Sequence, residues 1–290
     1  MPVVVVETIA GLRSQLRQSK AHAASQGPAR PRVALVPTMG ALHEGHMALV
    51  ERAQERAEIV VVSIFVNPLQ FGASEDLARY PRTVESDVER LRDHGVQLVF
   101  APTLSEMYPA GDLPTNVTAG DIGNLYEGRS RRGHFDGVLT VVAKLLHIVN
   151  PDTVVFGKKD AQQVFLVTRM IADLNFDVQV ATVPTVREDD GLALSSRNRF
   201  LDARERIAAR ALSRALEAAE SSADRGPDAV LAAAQSVLTG DTAVQLDYLQ
   251  VVNPATFLPV DDNHHGGALV LVAARVGDTR LIDNATIHLG

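Results

Sequence analysis

Val33-Ala34-Leu35-Val36-Pro37-Thr38-Met39-Gly40-Ala41-Leu42-His43-Glu44-Gly45-His46-Met47-Ala48-Leu49-Val50 reads as strand, turn and helix. The apolar run Val33–Val36 is a short buried strand. Met47-Ala48-Leu49-Val50-Glu51-Arg52-Ala53 reads as the first turns of a helix. Gly40 and Gly45 let the backbone bend between them or approach a ligand. A turn at the carboxyl end of a strand, opening a helix, is where open α/β sheets bind nucleotides. The helix N-terminus offers N–H groups and a positive dipole end to phosphate. His43 and His46 face the same position and can donate to charge developing on a phosphoryl group. As a lone residue either histidine reads as a surface or turn residue. As zinc ligands they lack both the His-Glu-x-x-His spacing of a metalloprotease helix and any cysteine for a structural site.

Working outward, Val3–Val6 reads as a first strand, and Thr8 as the N-cap of a helix from Ile9 to about Ala24 with Leu12 and Leu16 on its apolar face. The helix after the histidine turn runs from Glu44 to about Ala57. Ile59–Val66 is almost continuously apolar and β-branched, which marks a central parallel strand covered on both faces. Together these form a right-handed βαβ unit. Pro68 stops the strand, which leaves Asn67 and Gln70 at the carboxyl edge of the sheet. Residues 72–82 read as a polar cover over a pocket. Thr83–His94 is a helix with Thr83 as candidate N-cap, and Val96–Phe100 another strand. An extended piece is expected at Thr115–Ala119. Arg129, Arg131 and Arg132 form a basic cluster that reads as a solvated loop, with an anionic substrate as the alternative.

His134–Asn150 has helical periodicity. Thr153–Phe156 is a strand that runs into Gly157-Lys158-Lys159-Asp160, a second strand–glycine–helix turn, and the helix continues to about Asp173. A lysine there pairs with phosphate as a point charge, and Gln163 lies one turn further along. Asp177–Val183 is a further strand. Leu194-Ser195-Ser196-Arg197-Asn198 brings two hydroxyls and a guanidinium, a set suited to polyphosphate. After Asp202 the texture changes to Ala-rich helices at Ala203–Ala219 and Pro227–Leu238, then strands at Val244–Val251, Leu269–Ala274 and Thr279–Asn284. The fold expected is α/β: a Rossmann-like parallel sheet flanked by helices over residues 1–185, with a smaller α+β domain over 186–290 that covers the active site.

Composition narrows the function class. The chain has 290 residues and a net charge of −7, which argues against a general nucleic-acid binder. It has no cysteine, hence no disulfide and no thiol nucleophile. That suits a reducing cytoplasm. The N-terminal run reads as a strand and not as a signal peptide, and no apolar run is long enough to span a membrane.

On four motifs in order, the sequence resembles the pantothenate synthetase family, in the nucleotidyltransferase superfamily with the His-x-Gly-His signature. They are Pro37–His46, Phe65-Val66-Asn67-Pro68-Leu69-Gln70-Phe71, Gly157–Asp160 and Leu194–Asn198. The resemblance covers nearly the whole chain. It implies that pantoate and ATP form pantoyl adenylate and pyrophosphate, and that β-alanine then displaces AMP to give pantothenate. Catalytic roles would fall to His46, as proton donor, His43 and Lys159. ATP would be held by Met39, Gly40, Ala41, Leu42, His43, Glu44, Gly45 and His46, by Gly157, Lys158, Lys159 and Asp160, and by Val186, Leu194, Ser195, Ser196 and Arg197. Pantoate would meet Gln70, Gln163 and Asn67, and β-alanine Gln70. Mg²⁺ would ride on the ATP phosphates, with no metal site made by the protein alone. A cytoplasmic homodimer is implied. Neutral amides suit a carboxylate that must stay nucleophilic, because a strong cation pair would hold it in the ground state.

Two positions depart from the family pattern. Leu194 stands where Met is frequent, a volume-conserving change. Lys158 stands where Glu is usual and adds positive charge near the phosphates. One rival reading is a nucleotidyltransferase that moves AMP or CMP onto a phosphate; it shares the histidine turn, but the paired glutamines and the long second domain argue against it. Another is a nucleotide-binding protein without turnover.

Overall fold

The structure, a computed structural model, describes residues 3–72, 77, 80–109, 111 and 115–290. The expected cover at 72–82 falls largely outside the described residues. The chain forms two compact units. One comprises Met1–Lys158 and Leu166–Pro184, the other Lys159–Phe165 and Thr185–Gly290. A single cut at residue 185 leaves the short segment Lys159–Phe165 with the first unit, whereas it clusters with the second. One reason is Phe165, whose ring lies 5.0 Å from that of Phe257.

The first unit runs β1 (Val4–Val6), α1 (Ile9–Gln26), β2 (Val33–Thr38), α2 (Glu44–Gln54), β3 (Ile59–Ile64), α3 (Val84–Asp93), β4 (Leu98–Phe100), α4 (Leu104–Met107), α5 (Tyr126–Ser130), α6 (His134–Val149), β5 (Thr153–Gly157), α7 (Ala161–Asp173) and β6 (Gln179–Val183). Among the described residues the strands form one six-stranded parallel sheet in the order β1-β4-β3-β2-β5-β6. From β2 the chain moves towards β3 and β4, and from β5 it moves the other way, to β6. The neighbours β2 and β5 therefore form the topological switch point, where α/β sheets bind ligands at their carboxyl edge.

Every residue of β3 is buried, the state expected of a strand covered on both faces. Alternation sorts the side chains of β2. Ala34 and Val36 join a core with Met47, Val50 and Ala53 of α2 and Leu91 of α3. Full burial of each large apolar side chain there contributes roughly 1.5–3 kcal/mol. Thr8 caps α1 through its hydroxyl, which accepts from Gly11 N–H at 3.1 Å. The piece expected to be extended at 115–119 joins no sheet. Val117 N–H instead donates to the Thr140 hydroxyl at 3.0 Å and Ala119 N–H to the Asp136 carboxylate at 2.7 Å, so α6 side chains satisfy this backbone.

The second unit contains α8 (Ala203–Ala209), α9 (Ala211–Glu220), α10 (Pro227–Thr239), β7 (Val244–Val252), β8 (Gly266–Val276) and β9 (Thr279–Leu289). The single helix expected over Ala203–Ala219 is two, divided at Arg210, whose ψ of −14° loosens the turn. The strands form an antiparallel meander, longer than their apolar cores suggest. β8 and β9 are joined through Gly277-Asp278, with Gly277 at φ 57°, as a two-residue hairpin with glycine first requires. Ala268, Val270, Val272 and Ala274 present one face of β8 to Leu212, Ala215, Val230 and Ala234.

Candidate active site

The histidine turn leaves β2 at the switch point. Thr38 Oγ1 accepts from Gly40 N–H at 3.2 Å and donates to the Ser63 carbonyl at 2.7 Å. Gly40 and Ala41 follow in the left-handed region, at φ 82° and 52°. A non-glycine residue there needs support from its surroundings, and Asp87 of α3 supplies it. Its buried carboxylate accepts from Ala41 N–H at 2.9 Å, Leu42 N–H at 2.8 Å and the Thr83 hydroxyl at 3.0 Å. Thr83 thus serves Asp87 and makes no side-chain cap to the helix backbone.

The two histidines close the N-terminus of α2 as a reciprocal capping box. His43 Nδ1 accepts from Gly45 N–H at 3.1 Å, and His46 Nδ1 accepts from His43 N–H at 3.2 Å. Their ring centroids lie 4.1 Å apart. A nitrogen that accepts from a backbone N–H carries no proton, so each neutral ring holds its proton on Nε2. The cap therefore selects the tautomer that presents two N–H donors at a helix N-terminus.

At the end of β3 the chain turns through Pro68–Gln70. Asn67 is 1% exposed and Gln70 8%. Asn67 Oδ1 accepts from Tyr108 O–H at 2.8 Å and Leu69 N–H at 3.3 Å. Its Nδ2 donates to the Gly137 carbonyl at 3.0 Å and to Gln70 Oε1 at 3.2 Å. All four hydrogen-bonding positions of the Asn67 amide are thus taken by protein groups. Gln70 Nε2 points to the Met39 sulfur, which joins this turn to the histidine turn. The Gln70 carbonyl accepts from His134 Nδ1 at 2.8 Å and from Arg131 at 3.3 Å. Arg131 also pairs with Glu127 at 3.5 Å and lies 3.0 Å from His134 Nε2, with only 12% of its side chain exposed. The expectation of a wholly solvated basic loop fails at this residue, because buried Glu127 and the Gln70 carbonyl draw the guanidinium inward.

Glu44 stands in the first turn of α2 and pairs with Arg90 at 2.8 Å. Gly157 ends β5, and Lys158 continues the ladder through its N–H to the Val183 carbonyl at 2.8 Å while its side chain is exposed.

The second unit carries its own cationic set. Val186 and Leu194 pair across a tight turn, Leu194 N–H to the Val186 carbonyl at 2.9 Å. Ser195 follows, and its hydroxyl accepts from Arg197 N–H at 3.3 Å, opening the 3₁₀ turn Ser196–Phe200. Lys159 Nζ donates to the Leu194 carbonyl at 3.0 Å, and the Lys159 carbonyl accepts from Asn284 Nδ2 at 2.7 Å. Desolvation pulls the Lys159 ammonium down to about 8, with Arg197 and Arg187 adding to the fall while Asp283 and Asp160 oppose it. Asp283 is itself bound by Arg187 through two contacts, at 2.6 and 3.1 Å. Asp160 accepts from Gln163 N–H at 3.0 Å, which puts its carboxylate at the start of α7.

Within the first unit the residues singled out from sequence thus converge on Met39–His46 with Asn67 and Gln70. Within the second, Lys159, Asp160 and Gln163 share a segment, and Lys159 reaches the Val186–Arg197 loop. Asp87, Tyr108, His134, Asp283 and Asn284 escaped the sequence reading. Asp87 sits in Glu85-Ser86-Asp87-Val88-Glu89, which looks like a solvated helix face, and a lone tyrosine after a four-residue helix carries no signal.

Sheet order, switch-point turn and paired histidine donors define a nucleotide-using α/β enzyme. The family model described as pantoate-beta-alanine ligase matches residues 4–286. A pantothenate synthetase from Leifsonia xyli subsp. xyli is 58% identical over 278 residues, 96% of each chain. The crystal structure of a pantothenate synthetase from Thermus thermophilus superposes with a TM-score of 0.89 at 47% identity, covering 97% of this chain and 98% of that one. A pantoate-beta-alanine ligase from Francisella tularensis, solved in complex with beta-gamma ATP and beta-alanine, gives a TM-score of 0.78 at 31% identity over 98% and 97% of the two chains. The chain belongs to the pantoate–β-alanine ligase family. Its activity is the ligation of pantoate to β-alanine. Among the described residues no helix is long and apolar enough to cross a membrane.

Proposed function

We propose that the chain runs this ligation in two steps, with MgATP as co-substrate. The pantoate carboxylate attacks the α-phosphorus of ATP, the bond to the β-phosphate oxygen breaks, and pyrophosphate leaves. The β-alanine amine then attacks the acyl carbon of pantoyl adenylate, loses a proton, and expels AMP. In-line displacement at phosphorus needs positioning and charge neutralisation more than a protein nucleophile. The observation that carries the reading is the reciprocal histidine cap, which uses Nδ1 of His43 and His46 as acceptors and so leaves the proton of each neutral ring on Nε2 at the N-terminus of α2. His46 acts as donor to the phosphoryl group, and His43 lines the triphosphate with Met39–Leu42, Glu44 and Gly45. Lys159, Ser195, Ser196 and Arg197 add charge and donors for the phosphates, with Gly157, Lys158, Asp160, Val186 and Leu194 completing the nucleotide contacts. Gln70 and Gln163 bind pantoate, and Gln70 also meets β-alanine. The filled hydrogen bonds of Asn67 favour a role in holding Gln70. Two copies pair through the first unit, and the enzyme works in the cytoplasm; light scattering tests the first point.

The deciding experiment measures pyrophosphate release from MgATP and pantoate, with and without β-alanine. One equivalent per enzyme without β-alanine, and steady turnover with it, is expected. Release that requires a phosphorylated acceptor in place of pantoate overturns the adenylate reading and supports nucleotidyl transfer.

A further inference from the structure

We infer that Tyr108 is a positioning residue for the acid substrate: through Asn67 it strengthens the hold on the orientation in which the Gln70 amide meets the ligand. This rests on the reading that Gln70 binds pantoate.

The argument starts from two backbone groups whose polarity is unalterable. The Leu69 N–H only donates, and the Gly137 carbonyl only accepts. Asn67 sits between them, so its oxygen must face Leu69 and its NH₂ must face Gly137. Tyr108 O–H adds the shorter contact to that oxygen, 2.8 Å against 3.3 Å. The second Asn67 N–H reaches Gln70 Oε1. The Gln70 oxygen is therefore turned to Asn67, and its NH₂ is turned away from Asn67 towards Met39. An NH₂ group has two donors, and a thioether is a weak acceptor for one of them. What Gln70 presents is a donor, so its partner on the ligand is a carboxylate or hydroxyl oxygen. That donor suits the oxygens of the acid substrate, and the carboxylate of β-alanine as well, rather than an ammonium.

Tyr108 is built for this part. It is 4% exposed, and burial pushes its phenol well above the usual range, so it stays a neutral donor. Its ring is fixed by the edge of Phe65, centroids 5.9 Å apart, and by Lys144 Nζ at 5.6 Å. The Gln70 backbone is anchored separately by His134 and Arg131. Loss of the Tyr108 hydroxyl then leaves the turn and the two backbone contacts of Asn67 in place and removes the shorter of the two contacts on its oxygen, which weakens the hold on both amides. A ligand that needs one orientation binds less tightly by the fraction in which that orientation is populated.

The test compares Tyr108→Phe, Gln70→Met and Gln70→Glu with the unaltered enzyme, using KM for pantoate and for ATP in pyrophosphate release, together with Tm. Tyr108→Phe is expected to raise the pantoate KM about threefold to tenfold, as loss of one hydrogen bond does, with the ATP KM within about twofold. Unchanged pantoate KM, or equal rises for both substrates, overturns the relay. Should Tyr108→Phe fail to fold, the Gln70 pair decides. Gln70→Glu places an acceptor where a donor is required and is expected to bind pantoate less well than Gln70→Met. Glu equal to or better than Met overturns the assigned polarity. A Gln70→Met enzyme with normal pantoate KM overturns the underlying pantoate reading. A Gln70→Met loss without a Tyr108→Phe effect overturns the relay alone.

Discussion

The Asp87 carboxylate holds the Leu42 backbone N–H at 2.8 Å and so ties α3 to the turn that carries both histidines. It binds Ala41 N–H as well, and Gly40 packs against it so closely that an added Cβ would stand 3.0 Å from Oδ2. Asp87→Asn keeps the volume but confronts one backbone N–H with an NH₂ group. An unsatisfied buried donor costs about 1–3 kcal/mol. The variant is expected to lose about that much stability in denaturant titration and to raise the ATP KM several-fold. An ATP KM like that of the parent would show that the turn holds its shape without the carboxylate.

His43 combines an N-cap through Nδ1 with a donor at Nε2, and the two can be separated. Asn is among the best N-cap residues, and its oxygen can replace Nδ1 while nothing replaces Nε2–H. His43→Asn is expected to keep stability within about 0.5 kcal/mol and to lower kcat for adenylate formation about 100-fold, the scale of one lost transition-state donor. Single-turnover pyrophosphate release checks the rate, and thermal unfolding checks the cap. A slow variant that is also strongly destabilised would assign the loss to the fold.

Lys159 supplies a pH test. Its ammonium titrates near 8, below the ordinary lysine range, so charge is present below that pH and lost as pH rises through it. Since kcat/KM reports groups of the free enzyme, kcat/KM for ATP is expected to fall above pH 8. Lys159→Arg stays charged throughout, and its profile is expected to lose this limb even if its absolute rate is lower. A limb that persists in the arginine variant would place the titration on another group.

Gly137 lies inside α6, where glycine is unfavourable by roughly 1 kcal/mol against alanine. A Cβ there would stand 2.2 Å from the Leu69 carbonyl oxygen and 2.6 Å from Gln70 N. Gly137→Ala must displace the Pro68–Gln70 turn. It is expected to raise the pantoate KM more than the ATP KM and to reduce stability by about 1–3 kcal/mol, as overpacking does. A stabilised variant with normal kinetics would mean that the turn moves aside at no cost to binding.

Much of the fold was legible because burial imposes a period. The continuous β-branched run of β3 could only be a strand covered on both faces, and the alternation of helices with such runs required a parallel sheet. The lengths of β8 and β9 were less legible. Their ends, Gly266–Ala268 and Ala285–Leu289, are carried by the cross-strand ladder more than by apolar pattern. The break at Arg210 left no mark in an Ala-rich sequence compatible with one helix. The segment at 115–119, expected to be extended, joins no sheet, and its contacts with α6 side chains are not visible in the local pattern.

The sequence by itself determined the order of elements, the parallel sheet and the place of the histidine turn at a strand's carboxyl end. These follow from hydrophobic period and glycine position, which are local. Only the tertiary structure decided which atoms donate and which accept. Asp87 in α3 shapes a turn 45 residues earlier. The capping contacts of His43 and His46 select their Nε2–H tautomer. Tyr108, 41 residues beyond Asn67, orients an amide pair that sequence alone shows only as Asn67 and Gln70. Asp283, from the last strand, faces a charge on Lys159. Hydrogen-bond polarity and desolvation depend on distances across the fold, and a linear pattern of residue types carries no such distances.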